Sequence, residues 1–205
     1  MIRPSRQLRQ EAFNLLEGHG RILEAARTVT AALDAAGLDG AVVDGVAVVL
    51  HGYVRTTLDV DVWVDAPLRT VAARLRAAGL EFDPPARQFR FADVPVHLLR
   101  TKDLRAAKPT RFTVRQAVRI VALDALIEMK LRSGLRSPAR AQDLADVVGL
   151  IRARGLSRRF ASRLSPDLRE DFRRLVQALR AEGGRRSVAA RSAAQARDAG
   201  RPAAL

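Results

Sequence analysis

Asp44-Gly45-Val46-Ala47-Val48-Val49-Leu50-His51-Gly52-Tyr53-Val54-Arg55-Thr56-Thr57-Leu58-Asp59-Val60-Asp61-Val62 is the stretch on which the fold turns. Its end alternates cleanly. Leu58, Val60, Val62 and the following Val64 share one side of a strand, and Asp59, Asp61 and Trp63 share the other. That period sets the two carboxylates about 6.5–7 Å apart along the chain, both leaving the same face. Two acids on one face of an apolar strand repel each other and resist loss of water unless something positive lies between them. Mg²⁺ or Mn²⁺ meets that need, because such ions take oxygen ligands and keep waters and substrate phosphates around them. The plain alternative is a strand whose polar face is simply wet.

Upstream of this stretch the pattern is helical. Leu8, Ala12, Leu15 and Leu16 recur at helical spacing, and Ile22, Leu23, Ala26, Val29, Ala32 and Leu33 form a second stripe that Gly37 closes. Val42-Val43 starts a short strand, and residues 46–51 suit either a short helix or a buried strand. Downstream, Pro67 opens a helix that runs to Gly79. Residues 80–99 read as strands, with 88–91 and 94–99 forming a hairpin near Ala92-Asp93. Past a polar, proline-containing passage, residues 114–133, 139–154 and 166–182 are amphipathic helix candidates. The last segment, 183–205, holds five arginines against one acid and no aromatic residue, so it reads as a disordered basic tail.

The fold class expected from this order is α/β of the α+β type: a small mixed sheet of four or five strands with flanking helices and a C-terminal helical segment. The organisation expected is an α/β core over 1–110, a helical segment packing on it over 111–182, and the tail over 183–205. With 205 residues, 48% of them hydrophobic and 28% charged, the chain can bury a core and is neither collagen-like nor wholly disordered. There is no cysteine, which excludes disulfides, thiolate metal sites and a cysteine nucleophile. Three histidines, His19, His51 and His97, make a zinc site of the His/Cys kind a poor fit. The net charge of +14 suits polyanions, but 33 of the 36 basic residues are arginines scattered along the chain, so charge alone specifies no partner. Glu11 interrupts the place where the apolar core of a signal peptide would follow the basic start. The most apolar window, 41–50, is too short to span a bilayer and contains Asp44. A cytoplasmic protein with no membrane partner is expected.

The small-residue turn at Gly45, the 13 residues from 46 to 58, and the pair Asp59-x-Asp61 together resemble the nucleotidyltransferase superfamily of the polymerase-β type. The fuller pattern, with His51-Gly52, Arg55-x-Thr57 and Asp59-x-Asp61, is similar to the abortive-infection (AbiEii-type) nucleotidyltransferase toxins and their relatives. Leu126-Ile127-Glu128-Met129-Lys130, followed by Arg140-Ala141-Gln142-Asp143-Leu144-Ala145-Asp146, is similar to a helical block of that group. The resemblance covers roughly residues 25–155. It implies transfer of a nucleotidyl group from an NTP, with Mg²⁺ or Mn²⁺ as cofactor, to an RNA (tRNA among them) or protein acceptor. A cognate antitoxin is an implied partner. Residue by residue, it implies that Asp59 and Asp61 hold the metal, and that Gly45, Arg55 and Thr57 border the nucleotide. Lys130 is implied to reach the phosphates or orient the acids, with Asp143 as its partner. Asp143 could instead pair with Arg140 on the surface, Arg55 could pair with Asp59, and Lys130 could be an ordinary exposed lysine.

Two positions depart from the family pattern. Asp44 stands where the first glycine of the turn is expected; pointing inward it would repel a triphosphate, and pointing outward it would be harmless. His97 falls where a third carboxylate is expected on a neighbouring strand, and imidazole is a poor Mg²⁺ ligand. The site is then a two-acid site, a degenerate one, or one in which His97 serves as general base. A second functional class follows: a catalytically degenerate domain that binds RNA or protein. A sugar-nucleotide glycosyltransferase also uses Asp-x-Asp, but the chain is short for that scaffold and the Lys130 and Arg140–Asp146 blocks have no role in it.

Overall fold

The computed structural model describes residues 10, 14–15, 17–104 and 107–182. By contacts the chain divides into two units, 1–155 and 156–205. The first unit carries one mixed sheet: β1 (Gly40–Val43), β2 (Val60–Val64), β3 (Glu81–Asp83), β4 (Gln88–Phe91), β5 (Val94–Leu99), β6 (Phe112–Arg115) and β7 (Val118–Val121). The order across the sheet is β3-β4-β5-β2-β1-β7-β6. β2 runs parallel to β5 and antiparallel to β1, and β1 runs parallel to β7. This is the mixed sheet with flanking helices expected from the sequence.

The alternation of β2 becomes packing. Val60, Val62 and Val64 are buried, and so is Trp63 on the acid-bearing side, where its indole N–H donates to Thr101 Oγ1 at 3.1 Å and its ring stacks 5.8 Å from Phe112. An indole can be buried this way because its single donor finds a partner. The helices of this unit are α1 (Arg21–Ala35), α2 (Asp44–Leu50), α3 (Leu68–Ala77), α4 (Leu123–Arg136) and α5 (Ala141–Ala153). α1 buries Ile22, Leu23, Ala26, Val29 and Leu33, the stripe legible in the sequence. Residues 46–51 resolve in favour of helix, and Pro67 caps α3 instead of entering its first turn.

One expectation is corrected. Residues 114–133 are not a single helix: 112–121 form the β6–β7 hairpin, and helix begins only at Leu123. The hairpin turns at Gln116 (φ 48°) and Ala117 (φ 60°), two successive left-handed residues, which is the tight turn that matches strand twist. β7 then adds to β1, with Val42 opposite Ile120, so the sheet has seven strands instead of four or five.

In the second unit, 3₁₀ turns at Arg158–Arg163 and Pro166–Leu168 lead into α6, residues 169–182. The Phe160 and Phe172 rings lie 5.5 Å apart within it. The basic tail, 183–205, and most of the helix expected around Leu8 to Leu16 lie outside the described residues. Among the described residues no helix is long and apolar enough to cross a membrane.

Candidate active site

Strand register gathers the site. Because β1 and β2 are antiparallel, the end of β1 meets the start of β2, with Val43 opposite Asp61. On the other side, the parallel pairing with β5 sets His97 opposite Asp61. The chain leaving β1 enters α2 at Asp44, so Asp44, Asp59, Asp61 and His97 converge at one end of the sheet. A cleft of about 330 Å³ opens there. Asp44, Asp59 and Asp61 form one side of it. Leu126, Met129, Lys130, Ser133, Arg140 and Asp143 form another, and Leu99, Asp103 and Leu104 complete it.

Asp44 adopts φ 50°, the left-handed conformation in which glycine is at home and aspartate is among the few tolerated substitutes. Its carboxylate lines the cleft, yet it is not an unmet charge: it contacts the Lys130 ammonium and lies 3.4 Å from the Arg55 guanidinium. The sequence offered repulsion or harmless exposure for this residue, and the structure gives neutralisation.

Lys130 is no surface lysine. It is 4% exposed, with Nζ 2.8 Å from Asp143 Oδ1 and 2.8 Å from Asp146 Oδ2 as well as against Asp44. Burial pulls its pKa down, but the charges of Asp44 and Asp146 and the hydrogen bonds to Asp143 and Asp146 outweigh it, leaving the pKa above the ordinary lysine value. Arg55 meets Asp146, with Nε 2.8 Å from Oδ1 and a terminal nitrogen 3.1 Å from Oδ2. Asp59 is not the partner of Arg55, and Asp143 sits buried against Lys130 and not on the surface with Arg140. Asp146, fully buried, is the member that sequence reasoning left without a role. The signal was its spacing: Asp143 and Asp146 fall three apart, on the same α5 face as Val147 and Leu150.

The loop between α2 and β2 is fixed by two close approaches. A Cβ on Gly45 would lie 2.2 Å from Thr57 Oγ1 and 3.3 Å from an Arg55 nitrogen, so only glycine lets this loop seat on the start of α2. Gly149 of α5 does the same for Tyr53, whose ring would stand 2.4 Å from an added Cβ. Thr57 is buried and its hydroxyl lies 3.4 Å from Asp59 Oδ1. Gly45, Arg55, Thr57, Asp59, Asp61, Lys130 and Asp143 thus form one neighbourhood at the cleft and its wall.

Asp61, with its side chain 18% exposed, has its pKa pushed up to about 6, chiefly by burial and then by the charges of Asp59 and Asp44. His97 Nδ1 lies 3.3 Å from Asp61 Oδ1 and 3.5 Å from Asp59 Oδ2, while Nε2 donates to Gln88 Oε1 at 2.8 Å. Each ring nitrogen therefore faces an oxygen of the protein itself.

Among the described residues two trios bring their donor atoms within 4.8 Å of one another, near enough to close on one ion: Asp59, Asp61 and His97, and Asp44, Asp143 and Asp146. The second trio already surrounds the Lys130 ammonium, which supplies the positive charge a cation would bring. Among the described residues the first pairs with no lysine or arginine, and it fits an added ion better. Counting Asp44, Asp59, Asp61, Asp103 and Asp143 against Lys130 and Arg140, the lining of the cleft is acidic on a chain whose net charge is +14.

No family model matches the chain, and no curated protein matches its sequence. Its shape does find counterparts. A candidate nucleotidyltransferase from Helicobacter pylori superposes with a TM-score of 0.50 at 19% identity, over 82% of this chain and 77% of that one. The fold is nucleotidyltransferase-like. JHP933 from Helicobacter pylori superposes with a TM-score of 0.52 at 14% identity, covering 93% of this chain and 99% of that one. An antigenic nucleotidyltransferase-like protein from Paracoccidioides brasiliensis matches at a TM-score of 0.47 and 18% identity, over 69% of this chain and 77% of that one. In this nucleotidyltransferase-like fold the acidic pair, the lysine network and the cleft share one end of the sheet.

Proposed function

We propose that the cleft moves a nucleotidyl group from an NTP to a hydroxyl of an RNA or protein acceptor. The observation that carries this reading is the acidic pair, Asp59 and Asp61, leaving one face of β2 into a cleft with more acid than base on an otherwise basic chain. In such a transfer the acceptor oxygen bonds to the α-phosphorus, the α–β anhydride bond breaks, pyrophosphate leaves, and the hydroxyl proton passes to solvent. Asp59 and Asp61 would hold a divalent cation, Mg²⁺ or Mn²⁺, which when bound neutralises phosphate charge and polarises the P–O bond. Catalysis of this kind is mostly positioning. Lys130, held by three carboxylates, acts as a positioning residue that fixes Asp44 and the wall formed by Asp143 and Asp146. Leu99, Leu104, Leu126 and Met129 supply the apolar surface on which a base can lie. Arg140 is exposed at the edge of the cleft, where a phosphate would meet it.

The choice of RNA (tRNA included) or protein as acceptor, an AbiEii-like toxin role and a cognate antitoxin are carried by the motif resemblance. The direct test is calorimetric titration of each NTP with Mg²⁺ into the wild type, Asp59→Asn and Asp61→Asn. Binding that falls by more than about tenfold in both variants supports the reading.

A second reading has its own observation. His97 stands between the acids where a third carboxylate would complete the site, and Asp44 already engages Lys130 and Arg55. A domain so altered would bind RNA or protein without turnover. Absence of NTP binding, together with RNA binding that weakens steeply with salt, would establish that reading over the first.

A further inference from the structure

The third donor of the acidic site is a nitrogen. Asp61 and His97 are register partners on parallel strands, so their side chains leave the sheet side by side, and Nδ1 comes within 3.3 Å of Asp61 Oδ1 and 3.5 Å of Asp59 Oδ2. Gln88, on the next strand, accepts the Nε2 hydrogen at 2.8 Å through its amide oxygen. An amide oxygen can only accept, so Nε2 carries a hydrogen, and in the neutral form of the ring Nδ1 turns its lone pair toward the two carboxylates. Three electron-pair donors held face to face repel one another, and a cation among them converts the repulsion to attraction. Donors bound at about 2.0–2.2 Å to one ion stand roughly 3–3.5 Å apart, and the two Nδ1–oxygen separations fall there. An outer hydrogen bond to the second ring nitrogen is the device that orients a ligating imidazole.

We propose that His97 ligates the site's divalent cation through Nδ1, with Gln88 fixing its tautomer, and that this donor set makes the protein prefer Mn²⁺ to Mg²⁺. The inference rests on the proposed function in one respect, that Asp59 and Asp61 hold a cation. Its chemistry is simple. Mg²⁺ is hard, dehydrates reluctantly and takes oxygen, whereas Mn²⁺ accepts carboxylates and water and lies above Mg²⁺ in its tolerance of imidazole. Replacing a third carboxylate by imidazole also removes one negative charge, which weakens the purely electrostatic hold on Mg²⁺ more than the partly covalent hold on a transition ion.

The test uses the ions alone, with no nucleotide. Mn²⁺ and Mg²⁺ are titrated calorimetrically into the full chain as wild type, His97→Asp, His97→Gln and Gln88→Ala. Pulsed electron paramagnetic resonance of the Mn²⁺ complexes reads nitrogen coupling directly. The expected result is a Mn²⁺-over-Mg²⁺ preference at least about tenfold larger in the wild type than in His97→Asp. A nitrogen coupling present in the wild type and lost in His97→Gln should accompany it, with Mn²⁺ affinity reduced about tenfold in Gln88→Ala. Ion binding without nitrogen coupling, or an unchanged preference in His97→Asp, overturns the role of His97 and leaves the Asp59–Asp61 site standing. Failure of the wild type to bind either ion overturns both.

Discussion

Gly45 shows how much one missing carbon decides. Gly45→Ala would drive its methyl into Thr57 Oγ1 and push Thr57 away from Asp59. The expected cost is about 1–3 kcal/mol in urea unfolding. Adding Thr57→Ala should recover part of that loss, because the hydroxyl is the closest obstacle. Lys130→Met leaves three carboxylates facing one another without their ammonium and should cost about 3–5 kcal/mol, read by the same unfolding curves. Asp61 makes a pH prediction. Its folded pKa of about 6 lies above the ordinary aspartate value of 3.8, so between those values the folded chain holds a proton that the unfolded chain releases. Through this group, stability is greatest below about pH 4 and falls as pH rises through 6. Asp61→Asn should therefore raise the metal-free melting temperature at pH 7.5 and leave it nearly unchanged at pH 4. Divalent cation should stabilise the wild type more at pH 7.5 than at pH 5, as differential scanning fluorimetry would record. The acids, the lysine and Asp143 were legible in the sequence because spacing and a near absence of other lysines marked them. The part played by Asp44 and Asp146 was not, because it depends on a charge reaching them from an element 80 or more residues away in one case and from two separate elements in the other.

Among elements, β2 and the β4–β5 pair were readable because alternation and a tight turn are local properties. The β6–β7 hairpin was not. Its turn residues, Gln116 and Ala117, carry no Asn-Gly or Asp-Gly signal, and Val114, Val118 and Val121 can be fitted to a helical stripe as readily as to strands. What selects strand is distant: β7 finds β1, and the ring of Phe112 finds Trp63. The unrelieved left-handed φ of Ala117 gives the matching prediction. Ala117→Gly should raise the melting temperature by about 2–4 °C, the shift that roughly 1 kcal/mol gives a chain of this size. A fall would mean that the alanine methyl makes a contact worth more than the strain. His51 ties the same region together, its Nε2–H donating to Val121 O at 2.9 Å while burial lowers its pKa below the usual value. Burial favours the neutral ring, so the stability it contributes is present above about pH 6.5 and is lost as pH falls through the lowered pKa.

At the scale of the molecule, charge is divided between a basic exterior and an acidic cleft. Such an exterior would attract polyanions without selecting among them, and under the proposed function the cleft would admit a phosphate only once a cation had offset Asp59 and Asp61. Nucleic-acid attraction and site occupancy should therefore separate on adding salt, the first weakening steeply and the second little. The enclosure of Lys130 has one more consequence. The sequence contains three lysines, of which Lys102 and Lys108 are open to solvent and Lys130 is sealed. An amine-acylating reagent followed by mass spectrometry would mark the first two at once and the third only when the wall of the cleft comes apart. Lys130 is thus a built-in chemical clock for the opening of the cleft.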